Sequence, residues 1–202
     1  MCGKLDGLTT HAMAKLYFRY AAMNAGKSTS LLQAAYNYEE RGMAVVLLTA
    51  ELDNRDGSGL IASRLGLSRE AVTFNAAHSM AERIAHAQQA RWIAKLACVL
   101  VDEAQFLTPL QVEELHRWAH ALHTPVMCYG LRSDFRGKAF PGAATLLTLA
   151  DDIEEMKTIC ECGKKASMNA RFNDSGERIL EGEQVLIGGN ARYRGLCPDC
   201  FY

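Results

Sequence analysis

Three groups of residues in this 202-residue chain have the types and spacing to do chemistry. The first is Ala21-Ala22-Met23-Asn24-Ala25-Gly26-Lys27-Ser28-Thr29, whose Gly-Lys-Ser ending matches a Walker A loop. In such a loop, successive backbone N–H groups and the amino end of a helix surround polyphosphate oxygens. The lysine reaches the terminal phosphates and the serine hydroxyl binds Mg²⁺. Ala21 replaces the first glycine of the pattern, which is tolerable only if the backbone there avoids positive φ. A chance Gly-Lys-Ser at a helix start is the competing account, and the strand, loop and helix order around it argues against chance. The second group is Asp102-Glu103, at the end of the apolar run Leu96–Val101. Asp102 is placed to hold Mg²⁺ through water. Glu103 points to the other side of the strand or the loop beyond it, where a carboxylate can take a proton from an attacking hydroxyl or water. Two acids capping the following helix is the alternative, weakened because Thr108-Pro109 already marks that helix start. The third group is Cys160-Glu161-Cys162 with Cys197-Pro198-Asp199-Cys200, able to give four thiolates to one tetrahedral Zn²⁺. A redox dithiol is the rival reading. The loop between the pairs, Gly163 to Leu196, is pinned at its base, and closing so long a loop costs only slightly more entropy than closing a short one.

Positioning these groups requires strands that end together. Leu16–Tyr20 reads as an aromatic-rich strand and Ser28–Arg41 as a helix, with Leu31, Leu32, Ala35 and Tyr36 at helical spacing and Gly42 as its stop. Val45–Thr49 and Val72–Phe74 read as strands, separated by a Gly- and Ser-containing loop from Asp53 to Gly59. A helix runs from Ser79 to about Ala94, then the central strand Leu96–Val101, a helix over Thr108–His123 and a strand over Pro125–Gly130. Strands separated by helices imply parallel βαβ units and a doubly wound α/β core of about 140 residues. Past about Met156 the chain changes to short segments rich in Gly, Arg and Asn that carry the paired cysteines. The expected division is a flexible extension over 1–14, a nucleotide-binding core over 15–156 and a cysteine-bearing annex over 157–202. Met13-Ala14-Lys15 reads as a natural start, so Met1–Ala12 is expected to be either an extension or a mis-called start.

Composition narrows the partners. With 22 Lys+Arg against 23 Asp+Glu and a net charge of −1, nothing argues for nucleic acid or an anionic membrane. No apolar run is long enough to span a bilayer and Met1–Ala12 is no secretory signal, so a cytoplasmic location is expected. Thiols stay reduced there. Cys98 and Cys128 lie inside apolar runs and read as small buried hydrophobes, and Cys2 belongs to the leading segment. His116, His120 and His123 share one helical face but lack the glutamate of a zinc-protease motif, and read as a solvated or interface face. Arg132 and Arg136 are candidates for phosphate binding, surface exposure or subunit contact alike.

Five segments in this order carry a resemblance: Ala22–Thr29, Asp102-Glu103-Ala104-Gln105-Phe106, Cys-Tyr-Gly-Leu-Arg-Ser-Asp-Phe-Arg-Gly at 128–137, the cysteine pairs, and Ile-Gly-Gly-Asn-Ala-Arg-Tyr at 187–193. Together they resemble type II thymidine kinases, particularly the proteobacterial branch, over nearly all of Lys15 to Cys200. The resemblance implies a RecA-like P-loop parallel-sheet core with a small C-terminal zinc-binding lasso domain. It implies ATP- and Mg²⁺-dependent phosphorylation of the 5′-hydroxyl of thymidine or deoxyuridine, and a homotetramer inhibited by dTTP. Carried over by position, Glu103 is the general base. Ala21, Ala22, Met23, Asn24, Ala25, Gly26, Lys27 and Ser28, with Asp102, Glu103, Ala104 and Gln105, form the ATP site, and Ser28 and Asp102 hold magnesium. Met23, Phe106 and Leu131 resemble base-pocket positions, and Gln184, Val185, Leu186, Ile187, Gly188 and Tyr193 resemble the lasso. Asp53 and Arg55 match a pair near the phosphates. Met168 stands where vertebrate relatives carry a threonine near the thymine methyl. A P-loop ATPase with a zinc ribbon that binds nucleic acid is the alternative class, disfavoured by the charge balance.

Overall fold

The computed structural model describes residues 14–53, 57, 59–185 and 192–202; the expectations placed on Met1–Ala12, Arg55, Leu186, Ile187 and Gly188 lie outside them. Strand β1 (Leu16–Tyr20) leads into α1 (Lys27–Glu39) and β2 (Ala44–Ala50). An antiparallel hairpin, β3 (Leu60–Ala62) and β4 (Ser68–Glu70), precedes β5 (Val72–Phe74) and α2 (Met80–Ala90). Then follow β6 (Leu96–Val101), a 3₁₀ turn at Ala104–Phe106, α3 (Pro109–Ala121), β7 (Val126–Gly130), α4 (Pro141–Leu149) and β8 (Asp152–Glu155). Among the described residues, six of these strands form one sheet in the order β5-β2-β6-β7-β1-β8, with every neighbouring pair parallel.

Alternation along the strands explains the layers. Val46 and Leu48 of β2 and Val99 and Val101 of β6 face a core made with Met80, Ile84, Val112, Leu115, Ala143 and Leu146 of α2, α3 and α4. Val45, Leu47, Cys98 and Leu100 face the other way, against Leu31, Leu32 and Ala35 of α1. Cys98 and Cys128 are both fully buried, as their apolar surroundings predict, and burial pushes the Cys98 thiol up to about 12. Thr108 caps α3 with its hydroxyl accepting from the Gln111 N–H, and Gln111 answers by accepting the Thr108 N–H, a reciprocal capping box with Pro109 in the first turn.

The expected helices run slightly long. Trp92 (φ 52°) and His123 (φ 50°) take left-handed backbone just past α2 and α3 and break the ladder at or before the predicted end, and Gly42 (φ 70°) is the stop expected for α1, whose last helical residue is Glu39. The β3–β4 hairpin, α4 and β8 were not foreseen. β8 reads Asp-Ile-Glu-Glu and is largely exposed at the sheet edge, so it has neither an apolar run nor buried alternation to give it away.

Beyond β8 the pieces are small: β9 (Thr158–Ile159) pairs with β10 (Lys165–Ala166), β11 (Met168–Phe172) lies between β12 (Arg178–Ile179) and β13 (Tyr193–Leu196), and a short helix α5 (Pro198–Phe201) follows.

Candidate active site

β1 and β6 flank β7 in the sheet, so the loop after β1 and the acids after β6 open at the same carboxyl edge, where open parallel sheets place their ligands. Gly130, at the end of β7 between them, has no room for a side chain. A Cβ there would lie 2.7 Å from Gln105 Oε1 and 3.0 Å from its amide nitrogen. In the loop, Asn24 (φ 66°) and Gly26 (φ 78°) take the left-handed turn that delivers the chain into α1. Ala21 is not among the positive-φ residues; its N–H donates to Gly130 O at 3.3 Å. The condition set by its sequence is therefore met, and alanine costs this loop no backbone strain. Lys27 Nζ donates to Ala22 O at 3.2 Å, folded over its own loop.

Asp102 is buried, and its surroundings pull in both directions. Burial first, then the neighbouring Glu103 charge, pushes it up to about 7, while the Ser28 hydroxyl, the Glu103 amide and the Lys27 ammonium pull it down. A divalent cation between Ser28 and Asp102 reverses that balance by compensating the buried charge, so the hydroxyl and carboxylate that touch here fit magnesium. Glu103 has φ 50° and ψ 39°, a left-handed conformation that costs a non-glycine residue on the order of 1–3 kcal/mol. Glu103 accepts from Gln105 Nε2 at 2.5 Å, and Gln105 Oε1 accepts the Leu131 N–H at 3.0 Å. Gln105 thus orients the acid and fixes the start of the loop after β7.

These groups open on a cleft of about 730 Å³. Its walls include Met23 to Ser28, Asp53, Asp102, Glu103, Gln105, Phe106, Leu131, Gln184, Val185 and Tyr193. Ala21, Ala22 and Ala104 do not line it; all three are buried behind it. Phe106 meets Phe140 edge to face at 5.9 Å, giving the cleft an aromatic wall. The β3–β4 hairpin adds Leu60 to Ala62, a wall the sequence did not announce because the strands are only three residues each.

Strand β11 enters the same cleft through Asn169, which the sequence marks only by its place in the loop between the cysteine pairs. The buried Asn169 Oδ1 accepts the Met23 N–H at 2.8 Å and its Nδ2 donates to Ser133 O at 2.9 Å, joining the phosphate loop, the loop after β7 and the annex. Met168, the neighbour expected beside the base, turns the other way: its Cε reaches toward Gly137 and it packs on the annex core. Adjacent residues of a strand face opposite sides, so Asn169 and not Met168 lines the cleft. Asp134 is the second omission. Its buried carboxylate accepts from the Arg136 and Lys138 amides, the Arg136 guanidinium and Gln184 Nε2, which holds it below the usual carboxylate range against the cost of burial. Arg132 donates to Ser167 O and Arg136 to Gly182 O, so both arginines tie the core to the annex. Arg171 completes the anchorage, donating to Glu181 O and Glu183 O with its guanidinium 3.7 Å from the Phe135 ring centroid.

The four paired cysteines converge. All four Sγ atoms lie within 4.8 Å of one another, and Cys162 Sγ to Cys197 Sγ is 3.5 Å. A disulfide needs about 2.05 Å. Thiolates around tetrahedral zinc at about 2.3 Å stand about 3.8 Å apart, which this quartet fits. The Cys162 and Cys197 amides point at the Cys160 sulfur and bring it down to about 6, whereas thiol hydrogen bonds from the other three raise Cys200 to about 12. Such a set titrates as one coupled group, and the amides aimed at Cys160 favour the thiolate form a metal requires.

Residues 14–201 match the family model described as thymidine kinase. The chain is 58% identical over 190 residues to a thymidine kinase of Albidiferax ferrireducens, covering 94% of this chain and 93% of that one. It is 55% identical over 190 residues to a thymidine kinase of Chromobacterium violaceum, covering 94% and 99%. It is 54% identical over 187 residues to a thymidine kinase of Escherichia coli K12, covering 92% and 89%. No helix among the described residues is long and apolar enough to cross a membrane. A parallel sheet with a phosphate loop and paired carboxylates on one edge, a cysteine quartet beside it and matches of this extent lead to one assignment: the chain belongs to the thymidine kinase family.

Proposed function

We propose that this chain transfers the γ-phosphoryl group of Mg·ATP to the 5′-hydroxyl of thymidine or deoxyuridine, giving dTMP and ADP in pyrimidine salvage. The observation that carries the reading is a single cleft lined both by Lys27, Ser28 and Asp102 and by Glu103 with the apolar Met23, Phe106 and Leu131. Phosphoryl transfer asks mainly for positioning and charge neutralisation, and these residue types supply both. Ala21 to Ser28 and Asp102 to Gln105 hold ATP, Ser28 and Asp102 hold magnesium, and Asp53 and Arg55 lie near the phosphates. Magnesium, when bound, neutralises charge developing on the phosphoryl oxygens. Glu103 takes the proton from the 5′-hydroxyl. Gln184 to Gly188 and Tyr193 close over the nucleoside and exclude water, limiting wasteful ATP hydrolysis. Residues 15–156 act as the nucleotide-binding core and 157–202 as the lasso domain, whose fold a structural zinc on Cys160, Cys162, Cys197 and Cys200 maintains. The working form is a cytoplasmic homotetramer inhibited by dTTP, without nucleic-acid or membrane partners.

A panel of nucleosides incubated with Mg·ATP and resolved by product chromatography tests the reading. Thymidine and deoxyuridine are expected to be phosphorylated far faster than cytidine or adenosine nucleosides. ATP hydrolysis that ignores nucleosides and rises with DNA would overturn it.

A further inference from the structure

α3 carries His116 and His120 one turn apart, and opposite them stands Asp151, the residue before β8. His120 Nε2 is 3.1 Å from Asp151 Oδ2, His116 Nε2 is 3.9 Å from Oδ1, and the two imidazole rings lie 4.5 Å apart. One ligand atom from each residue falls within 4.8 Å of the other two. From sequence these histidines read as a solvated or interface face, because they lack the glutamate of a zinc-protease motif; the carboxylate they meet comes from 31 residues beyond His120. His123 is not a member of the cluster.

We propose that His116, His120 and Asp151 form a second metal site, distinct from the cysteine quartet, that takes a first-row divalent cation such as Ni²⁺, Cu²⁺ or Zn²⁺. Two imidazoles and one carboxylate suit those borderline ions, whereas Mg²⁺ and Ca²⁺ favour all-oxygen shells. The carboxylate is already fixed as a ligand should be. The Leu16 N–H donates to Asp151 Oδ2 at 2.7 Å, holding the side chain as an outer-shell partner does, with His120 on that same oxygen and Oδ1 left toward His116. The three side chains are 32%, 28% and 26% exposed, enough for an ion to enter and keep water on its remaining positions.

Position separates this site from the proposed chemistry. Leu16 and Asp152 are the first residues of β1 and β8, so the cluster sits at the amino edge of the parallel sheet, opposite the phosphate loop and the acids. A metal here cross-links α3 to the starts of two strands. It stabilises the fold and takes no part in phosphoryl transfer.

The test uses the full chain with its zinc content measured, titrated with NiCl₂ at neutral pH in a calorimeter and followed by absorbance. One Ni²⁺ per chain is expected to bind without zinc release and without thiolate-to-nickel charge-transfer absorption. Saturation should raise the thermal midpoint by several degrees, on the order of 5–10 °C at a hundredfold excess over Kd. His116→Ala and His120→Ala are each expected to weaken binding by about tenfold or more, and the double variant to abolish it, with thymidine phosphorylation within about twofold of the parent. Asp151→Asn keeps an acceptor for the Leu16 amide and should weaken Ni²⁺ as well; if it fails to fold, the histidine variants still decide. No Ni²⁺ binding, equal binding by the double variant, or binding seen only with zinc release would overturn the site.

Discussion

The parallel-sheet core and the cysteine annex hold themselves together in different ways. In the core, β2 and β6 are buried on both faces, and burial by itself supplies cohesion: Val45 and Leu47 pack one way, Val46 and Leu48 the other. The annex has strands of two to five residues and a cluster built from small or sulfur-bearing side chains such as Ala166, Ala170, Cys160 and Cys197. What it lacks in apolar volume it replaces with cross-links. Four thiols converge, and Arg171, Arg178 and Arg194 lie over Phe135, Phe201 and Phe172 at 3.7, 4.1 and 4.7 Å. The groups on the phosphate loop therefore rest on the apolar core, while Gln184, Val185 and Tyr193 rest on the half that the thiol quartet and the arginines secure. On the proposed function, fastening by a few cross-links apart from the sheet suits a segment that must admit and release a nucleoside.

The largest expected effect comes from breaking the annex alone. Stripping metal, or Cys160→Ser, should reduce nucleoside phosphorylation below detection, because structural zinc supplies folding free energy that so small a cluster cannot replace. Hydrogen exchange should show the amides of 158–172 and 193–201 exchanging while those of β2 and β6 stay protected. Leu48→Ala is the counterpart in the core, where a buried leucine truncation costs about 2–5 kcal/mol of global stability. It should lower the thermal midpoint and leave kcat/KM nearly unchanged below that temperature. Simultaneous loss of protection in both regions on metal removal would erase the distinction.

Next in size is Glu103→Gln. A general base contributes about 10²–10⁴-fold, and glutamine preserves the shape beside Gln105 while giving up proton acceptance. kcat for thymidine should fall within that range with ATP affinity changed by less than about threefold. Equal loss of ATP binding would move Glu103 from chemistry to nucleotide positioning.

Asn169→Ala probes the joint between the halves. It leaves the Met23 N–H and the Ser133 carbonyl without their partner, at about 1–3 kcal/mol, which is roughly 5–150-fold in kcat/KM for ATP if the loop feels all of it. Wild-type kinetics in this variant would show that the annex does not set the geometry of the phosphate loop.

The two halves also differed in how far their sequences could be read. Leu16–Tyr20, Val72–Phe74 and Leu96–Val101 match their strands residue for residue; Leu96–Val101 writes the continuous apolar run of a central strand, while the other two show through aromatic and β-branched residues between turn signals. The edge strand β8 and the short hairpin strands write no such run. At the candidate site, the spacing in Gly26-Lys27-Ser28 and Asp102-Glu103 marks chain-local features, and both open on the cleft. Asn169 and Asp151 had no role of their own in the sequence because their partners are distant in it: Met23 is 146 residues from Asn169 and Leu16 is 135 from Asp151. Asp134 is ringed by Arg136 and Lys138 nearby, and only its bond to Gln184, 50 residues on, ties it to the annex. A sequence pattern states what a residue is; only packing states what it is near.

The smallest effect concerns the latch between core and annex, and it depends on pH. Asp134 is held below the usual carboxylate range by the amides and guanidinium around it, with Gln184 on the same oxygen as Arg136. A folded value lower than the unfolded one means its stabilisation is fully present above the unfolded value, near 4, and is lost as pH falls through the folded value. Asp134→Asn removes the charge-assisted part of those hydrogen bonds, about 1–2 kcal/mol; Arg136 is 34% exposed, so screening keeps the ion pair itself at the low end. Urea unfolding of both proteins should therefore show a deficit for the variant at pH 7 that shrinks below pH ~4, where the parent loses the same contribution. A deficit that stays constant with acidification would mean that the carboxylate acts by shape alone, and that the loop bearing Gln184 is fastened by Arg171 and its stacking on Phe135 rather than by charge.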